Sequence, residues 1–355
     1  MTQPVLLTVS GPIPADIRNQ IASGRRPRAD YLEMAEAFDA DLLDPVEARR
    51  TSGPFGRLLG RLAGDFVLLA WVCFTRRKRY QLIFTDGEQV GLPFAALTRL
   101  TRRRPRHVMI GHLLSPPKKA RLHRWLRLRE RIDTVVVYAS AQREFAIDGL
   151  GYRPDQVVLS PFMVDTTFWR PEHVAIPART RPLICSVGQE LRDYPTLVEA
   201  VRDLDVDVVL AAASPWSKRA DTASRVEIPP NVEVRAFDPF DLRQLYAEAS
   251  FVVVPVQETD FQAGITTILE AMAMGKAVVC TRTTGQTDTI VHGETGLYVP
   301  PGDAGALRAA IRDLLDDPAA ADRLGKAGQR WVLEHADIDV YAQRLAAVVT
   351  EVAAL

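Results

Sequence analysis

Phe251-Val-Val-Val-Pro255 runs into Val256-Gln-Glu-Thr-Asp260-Phe-Gln262-Ala-Gly264-Ile-Thr-Thr267, and then into Ile268-Leu-Glu270-Ala-Met-Ala-Met-Gly275-Lys276. An apolar, β-branched run, a polar loop and a helical apolar pattern follow one another, so the segment reads as strand, loop and helix. Gly264 permits a tight turn and close backbone approach, and Thr266 or Thr267 reads as the N-cap. The first amides of that helix form an anion site suited to a diphosphate. Glu270 falls about one turn further on, where a carboxylate reaches vicinal hydroxyls such as a ribose diol. The helix macrodipole alone also favours an acid near a helix start.

Outward from this segment the same alternation repeats. β-Branched runs occur at Val5–Val9, Gln81–Thr85, His107–Gly111, Thr134–Tyr138 and Val157–Ser160, then at Leu183–Val187, Val206–Ala211, Val232–Arg235 and Ala277–Thr281, with amphipathic helical patterns between them. Such alternation implies parallel sheets covered by helices, with ligands at the carboxyl ends of the strands. The chain has 355 residues, enough for two such domains. The proline-containing stretch from Phe168-Trp169-Arg170-Pro171 to Pro182 lacks apolar periodicity and reads as a linker. The expected fold class is α/β, with two doubly wound, Rossmann-like parallel-sheet domains facing a cleft. Residues 1–170 form the first domain, 171–182 the linker and 183–355 the second, whose last helix is expected to cross back to the first.

Charge divides along the same line. Net charge is zero, yet residues 1–170 hold 27 Lys and Arg against 17 Asp and Glu, and Arg49–Arg131 alone holds 20 against four. Arg57 and Arg61 lie beside Leu58, Leu59 and Leu62; Arg102-Arg103-Arg104 follows; and Lys118–Arg131 is interleaved with Leu122, Trp125, Leu126 and Leu128. This pattern suits a helix lying on an anionic membrane surface, and equally an ordinary amphipathic helix with solvated arginines. Nucleic acid is not expected as a partner, because no recognition motif accompanies the charge. The three cysteines, Cys73, Cys185 and Cys280, are scattered and read as core residues of a protein in a reducing compartment. No signal peptide and no spanning helix are expected.

Leu269-Glu270-Ala271-Met272-Ala273-Met274-Gly275-Lys276, followed by Gly293-Glu294-Thr295-Gly296-Leu297-Tyr298-Val299, resembles the donor-binding signature of glycosyltransferase family four, the retaining enzymes of GT-B fold. Ser186-Val187-Gly188 is similar to the start of that family's second domain, and Gly111-His112 to the loop that carries its cleft histidine. The resemblance implies an enzyme that moves a hexose from a nucleoside-diphosphate sugar to an acceptor hydroxyl with retention. The acceptor is unknown, and a lipid or polysaccharide at the membrane would account for the basic domain. The cysteine usage and the basic domain lead to the expectation of a cytoplasmic protein, either free with a soluble acceptor or peripheral on the inner face of the cell membrane with a lipid one. Glu270 would hold the ribose, and Gly264, Ile265, Thr266 and Thr267 would line the sugar and diphosphate. Gly11 would let the diphosphate approach the first domain. His112 would act at the donor sugar. No cofactor beyond the donor and no metal is implied, and Asp203-x-Asp205, Asp205-x-Asp207 and Asp337-x-Asp339 read as structural.

The sequence departs from the family in three places. Gln262 stands where the family has a glutamate; it can hydrogen-bond a sugar hydroxyl but carries no charge for a developing oxocarbenium ion. Glu258 or Asp260 could supply that charge. Gln189 and Tyr194 occupy the places of a diphosphate-binding arginine and lysine, for which Arg192 and Lys218 are the expected substitutes. Ser10-Gly11-Pro12-Ile13-Pro14 replaces a more glycine-rich loop. These departures also fit a non-catalytic, glycosyltransferase-like partner subunit.

Overall fold

A computed structural model describes residues 5–175, 179–212 and 227–355. Residues 5–19, 29–160 and 339–355 gather by contact into one compact unit, and the described residues of 20–28 and 161–338 into another.

The first unit is a parallel sheet of β1 (Val5–Thr8), β2 (Ala40–Leu43), β3 (Leu82–Thr85), β4 (Arg106–Ile110), β5 (Thr134–Val137) and β6 (Val157–Leu159), in the order β2-β1-β3-β4-β5-β6. Leu6, Leu7, Ile83, Phe84 and Val136 are wholly buried, because helices cover both faces of a sheet whose crossovers are helical. The helix Ile338–Ala354, all but its first residue in this unit, docks through Tyr341, whose hydroxyl lies 2.6 Å from that of Tyr138. Gln81 Nε2 also donates to Ala353 O at 2.8 Å.

The second unit is built the same way from β7 (Leu183–Val187), β8 (Asp207–Ala211), β9 (Val232–Val234), β10 (Phe251–Val254), β11 (Ala277–Thr281) and β12 (Leu297–Val299), in the order β12-β11-β10-β7-β8-β9. All pairs are parallel, with Val252 opposite Cys185 and Val278. Phe251–Val254 have no exposed surface, and each such side chain contributes about 1.5–3 kcal/mol. Phe168 and Trp169, expected at the start of a linker, are instead buried against this unit. Their rings meet edge-on at 4.9 Å, Trp169 meets Tyr246 at 5.5 Å, and Arg243 Nη1 donates to Phe168 O at 3.1 Å.

Two strands go beyond the sequence reading. β2 is Ala-Asp-Leu-Leu with only Leu43 fully buried, and β12 has three residues. Both are edge strands, where one row of hydrogen bonds and partial burial suffice without a β-branched run. Pro255 falls outside β10, as its missing amide requires.

Candidate functional site

In the second sheet, connections run one way from β7 through β8 to β9 and the other way from β10 through β11 to β12. Where strand order reverses, loops diverge to opposite faces and leave a crevice at the carboxyl ends. Gly188, just after β7, and the Gly264 loop, after β10, flank this point.

Gly264 has φ of 86° and is itself the N-cap of the helix Ile265–Ala273. A Cβ there would lie 2.9 Å from Val254 Cγ1 and 3.2 Å from Arg192 Nη1, so backbone and space both demand glycine. The expectation that Thr266 or Thr267 caps the helix is therefore corrected. The left-handed turn starts the helix at Ile265, and the Thr267 hydroxyl is drawn inward, donating to Val187 O at 3.3 Å and accepting from Arg192 Nη2 at 3.2 Å. Ile265 N reaches Gln262 O at 3.3 Å, but a glycine cap offers no side chain, and the amides of Thr266 and Thr267 have no partner among the described residues. Thr266 is exposed, and Ile265 is buried.

Arg192 is 4% exposed. Its Nε donates to Val187 O at 2.8 Å, its Nη1 to Glu190 O at 3.1 Å and its Nη2 to Thr267 Oγ1. A Cβ on Gly188, whose φ is 101°, would meet Nη2 at 2.5 Å, so Gly188 and Gly264 together make the guanidinium's slot. Among the described residues no carboxylate pairs with it. A buried cation facing three neutral oxygens makes this wall of the crevice electropositive. Lys218, its expected companion, lies outside the described residues.

Glu270 sits in the second turn, where Tyr246 Oη donates to its Oε2 at 2.9 Å. Burial pushes the Glu270 carboxyl up to about 8, against the lowering effects of the Tyr246 hydrogen bond and the Arg192 charge. Gln262 is 8% exposed and its Oε1 has no partner. Gln286, wholly buried, gives Nε2 to Ala263 O at 3.3 Å and also leaves Oε1 unpartnered, as does the Thr283 hydroxyl. Buried acceptors without donors are places for a bound hydroxyl to donate. Glu258, weighed as a substitute charge, accepts from Thr284 N at 2.9 Å and so holds the neighbouring loop. Gly285 fixes the same contact: a Cβ there would lie 2.3 Å from Phe261 N and O. Tyr246 and Gln286 escaped the sequence reading. Tyr246 reads as one more apolar position of an amphipathic helix, and Gln286 lies in Thr283-Thr284-Gly285-Gln286-Thr287, which carries only a turn signal.

In the first sheet, order reverses between β1 and β3. Asp86, following β3, accepts from Ser10 N at 2.7 Å, Ser10 Oγ at 3.0 Å and Thr8 Oγ1 at 3.0 Å, which ties down the turn after β1. A Cβ on Gly11 would meet nothing within 4 Å, so the fold itself does not require glycine there. His112, exposed beyond β4, donates its amide to Glu88 Oε2 at 3.0 Å, and Lys119 Nζ holds Glu88 Oε1 at 2.7 Å. The His112 Nε2 lies 3.0 Å from the Asp86 carbonyl, which can only accept. Nε2 therefore carries the hydrogen, and Nδ1 of the neutral ring is left as an acceptor. Asp86 thus positions both Gly11 and His112 at one end of this sheet.

Known proteins share this architecture. Over 99% of both chains, the structure matches sucrose-phosphate synthase from Thermosynechococcus elongatus with a TM-score of 0.75 at 21% identity. It matches Anabaena HepE in complex with UDP-glucose with a TM-score of 0.70 at 16% identity, over 98% of this chain and 99% of that one. The fold is GT-B. Within it, residues 186–317 match the family profile described as "Glycosyl transferases group 1". A GDP-mannose-dependent alpha-(1-6)-phosphatidylinositol monomannoside mannosyltransferase of Mycolicibacterium smegmatis is 42% identical over 67 residues, 19% of this chain and 18% of that protein. A glycogen synthase of Mycobacterium tuberculosis is 33% identical over 111 residues, 31% of this chain and 26% of that protein. The chain thus matches about a fifth to a quarter of the length of these two relatives. A D-inositol 3-phosphate glycosyltransferase of Arthrobacter is 24% identical over 278 residues, 70% of this chain and 65% of that protein. These relatives are glycosyltransferases, and the matched profile covers the half of the GT-B fold that holds Gly264, Glu270 and Arg192.

Proposed function

We propose that the chain is a glycosyltransferase that moves a hexose from a nucleoside-diphosphate sugar to an acceptor hydroxyl with retention, as the family-four resemblance implies. The observation that carries this reading is the bare helix start at Gly264, with two unpartnered amides in front of a buried, unpaired Arg192 and with Glu270 fixed by Tyr246 one turn behind. Amides and cation suit a departing diphosphate, and Glu270 suits the ribose diol. Gln262 and Gln286 offer acceptors to sugar hydroxyls, and His112 offers Nδ1. With front-face attack the leaving diphosphate oxygen takes the acceptor proton, so Gln262 in place of glutamate does not remove a required base. The relative named for GDP-mannose and the HepE complex with UDP-glucose support a nucleotide-sugar donor. The acceptor is read as a lipid or polysaccharide reached from the cytoplasmic face of the membrane.

Titration calorimetry against UDP, GDP and ADP sugars, with Glu270→Ala alongside, tests the donor site, and NMR of the product's anomeric configuration tests retention. One donor should bind and Glu270→Ala should abolish it. A second reading, a non-catalytic partner subunit, is favoured by Gln262 and by the three neutral oxygens that already occupy Arg192; it leads if no donor binds.

A further inference from the structure

The helix Gly53–Ala63 is built inside out. The face it turns to the helix Asp65–Arg76 is glycine: a Cβ on Gly56 would lie 3.1 Å from the Trp71 ring, and one on Gly60 3.1 Å from Leu68 Cδ2. Its large apolar side chains are left largely to solvent, Leu58 51% and Leu62 78% exposed and Phe55 62% exposed although its ring touches that helix at one edge. At about 100° per residue these three fall within a 60° stripe. Phe66, at the start of the next helix, is exposed as well, and the Phe55 ring rests edge-on against Trp71 at 5.0 Å. Arg57 and Arg61 border the stripe, exposed and without a carboxylate partner among the described residues. A helix that needed only to cover the sheet would place leucine where the glycines are and charge where the leucines are.

We propose that this helix is a membrane-docking element that lies in the interface of an anionic phospholipid bilayer, with Phe55, Leu58 and Leu62 among the acyl chains and Arg57 and Arg61 at the headgroups. The charge of the region chooses the occupant: 20 basic residues against four acidic ones over Arg49–Arg131 match an anionic surface. The helix Pro117–Trp125 of the same unit repeats the pattern, with Leu122 and Trp125 exposed beside Lys118 and Arg121. The inference deepens the proposed function by naming the surface that would supply its acceptor, and it rests on that reading only there.

Flotation with vesicles of phosphatidylcholine, alone or mixed with phosphatidylglycerol, reads the docking directly. The chain should float with the anionic vesicles, remain in solution with the neutral ones, and be released in part by salt. Leu58→Ser with Leu62→Ser should lower partitioning by about tenfold or more. Arg57→Glu with Arg61→Glu should lower it by about fivefold per residue and flatten the salt dependence. All four side chains are exposed, so thermal unfolding should be unchanged, and donor titration on the same samples separates the two proposals. In the variants, lost flotation with intact donor binding supports the docking surface; in the unaltered chain, flotation without donor binding defeats the glycosyltransferase reading and leaves the docking standing. Docking is overturned if the unaltered chain fails to float, if the Leu58/Leu62 variant floats undiminished, or if sedimentation finds a dimer that this variant dissolves, since a second copy would then cover the stripe.

Discussion

With its carboxyl held up to about 8 by burial, Glu270 keeps a proton at neutral pH that an unfolded chain, near 4.5, has released. Stability should therefore fall as pH rises from 4.5 through 8, because the folded state binds the extra proton across that window. Glu270→Gln needs no proton and should flatten the slope, which denaturation midpoints across the window will show. A ribose diol donates to the carboxylate, so nucleotide binding should tighten as pH rises, with affinity at pH 7 about tenfold below its value well above pH 8. Calorimetry in buffers of different ionisation enthalpy should register proton release. Tyr246→Phe removes the donor on Glu270 and should cost about 1–2 kcal/mol of stability while weakening nucleotide binding. The motif around Glu270 was legible because Gly264 and Glu270 lie six residues apart on one helix. Tyr246 was not, because only the fold brings residue 246 to residue 270.

Strands and helices carry the next level. Among the described residues ten of twelve strands show as β-branched runs; in the eight interior ones burial on both faces leaves a continuous apolar signature, and the edge strands β6 and β9 still carry valines. β2 and β12 do without it, as Ala-Asp-Leu-Leu and Leu-Tyr-Val, because an edge strand pairs on one side only and tolerates partial burial. The helix start at Gly264 was legible as a turn but not as a cap, because threonine is the better cap by propensity and the left-handed geometry is invisible in sequence. Gly264→Ala should cost about 1–3 kcal/mol through the strained φ and the 2.9 Å contact with Val254, seen as a lower denaturation midpoint. Arg192→Ala should cost more, about 2–4 kcal/mol, by leaving Val187 O without its guanidinium donor and the glycine slot empty.

At the scale of the molecule, the opposite net charges of the two halves and the two parallel-sheet domains were both legible, since charge and strand–helix alternation are properties of composition and order; that the pair is GT-B came from the family resemblance alone. The unit boundary follows contacts that composition does not record: Phe168 and Trp169 belong to the second core. Tyr341→Phe should cost about 1 kcal/mol by breaking the pair with Tyr138, measured as a shift in midpoint.

That pair also dictates an order of assembly. The first unit recruits residues 339–355, which follow every residue of the second along the chain. On the ribosome the second unit's residues are thus all translated before the first unit's are, and the first sheet must wait with Tyr138 uncovered until the helix Ile338–Ala354 arrives. Nascent chains cut after residue 338 and tethered through a linker that spans the exit tunnel should resist protease in the second unit and yield in the first.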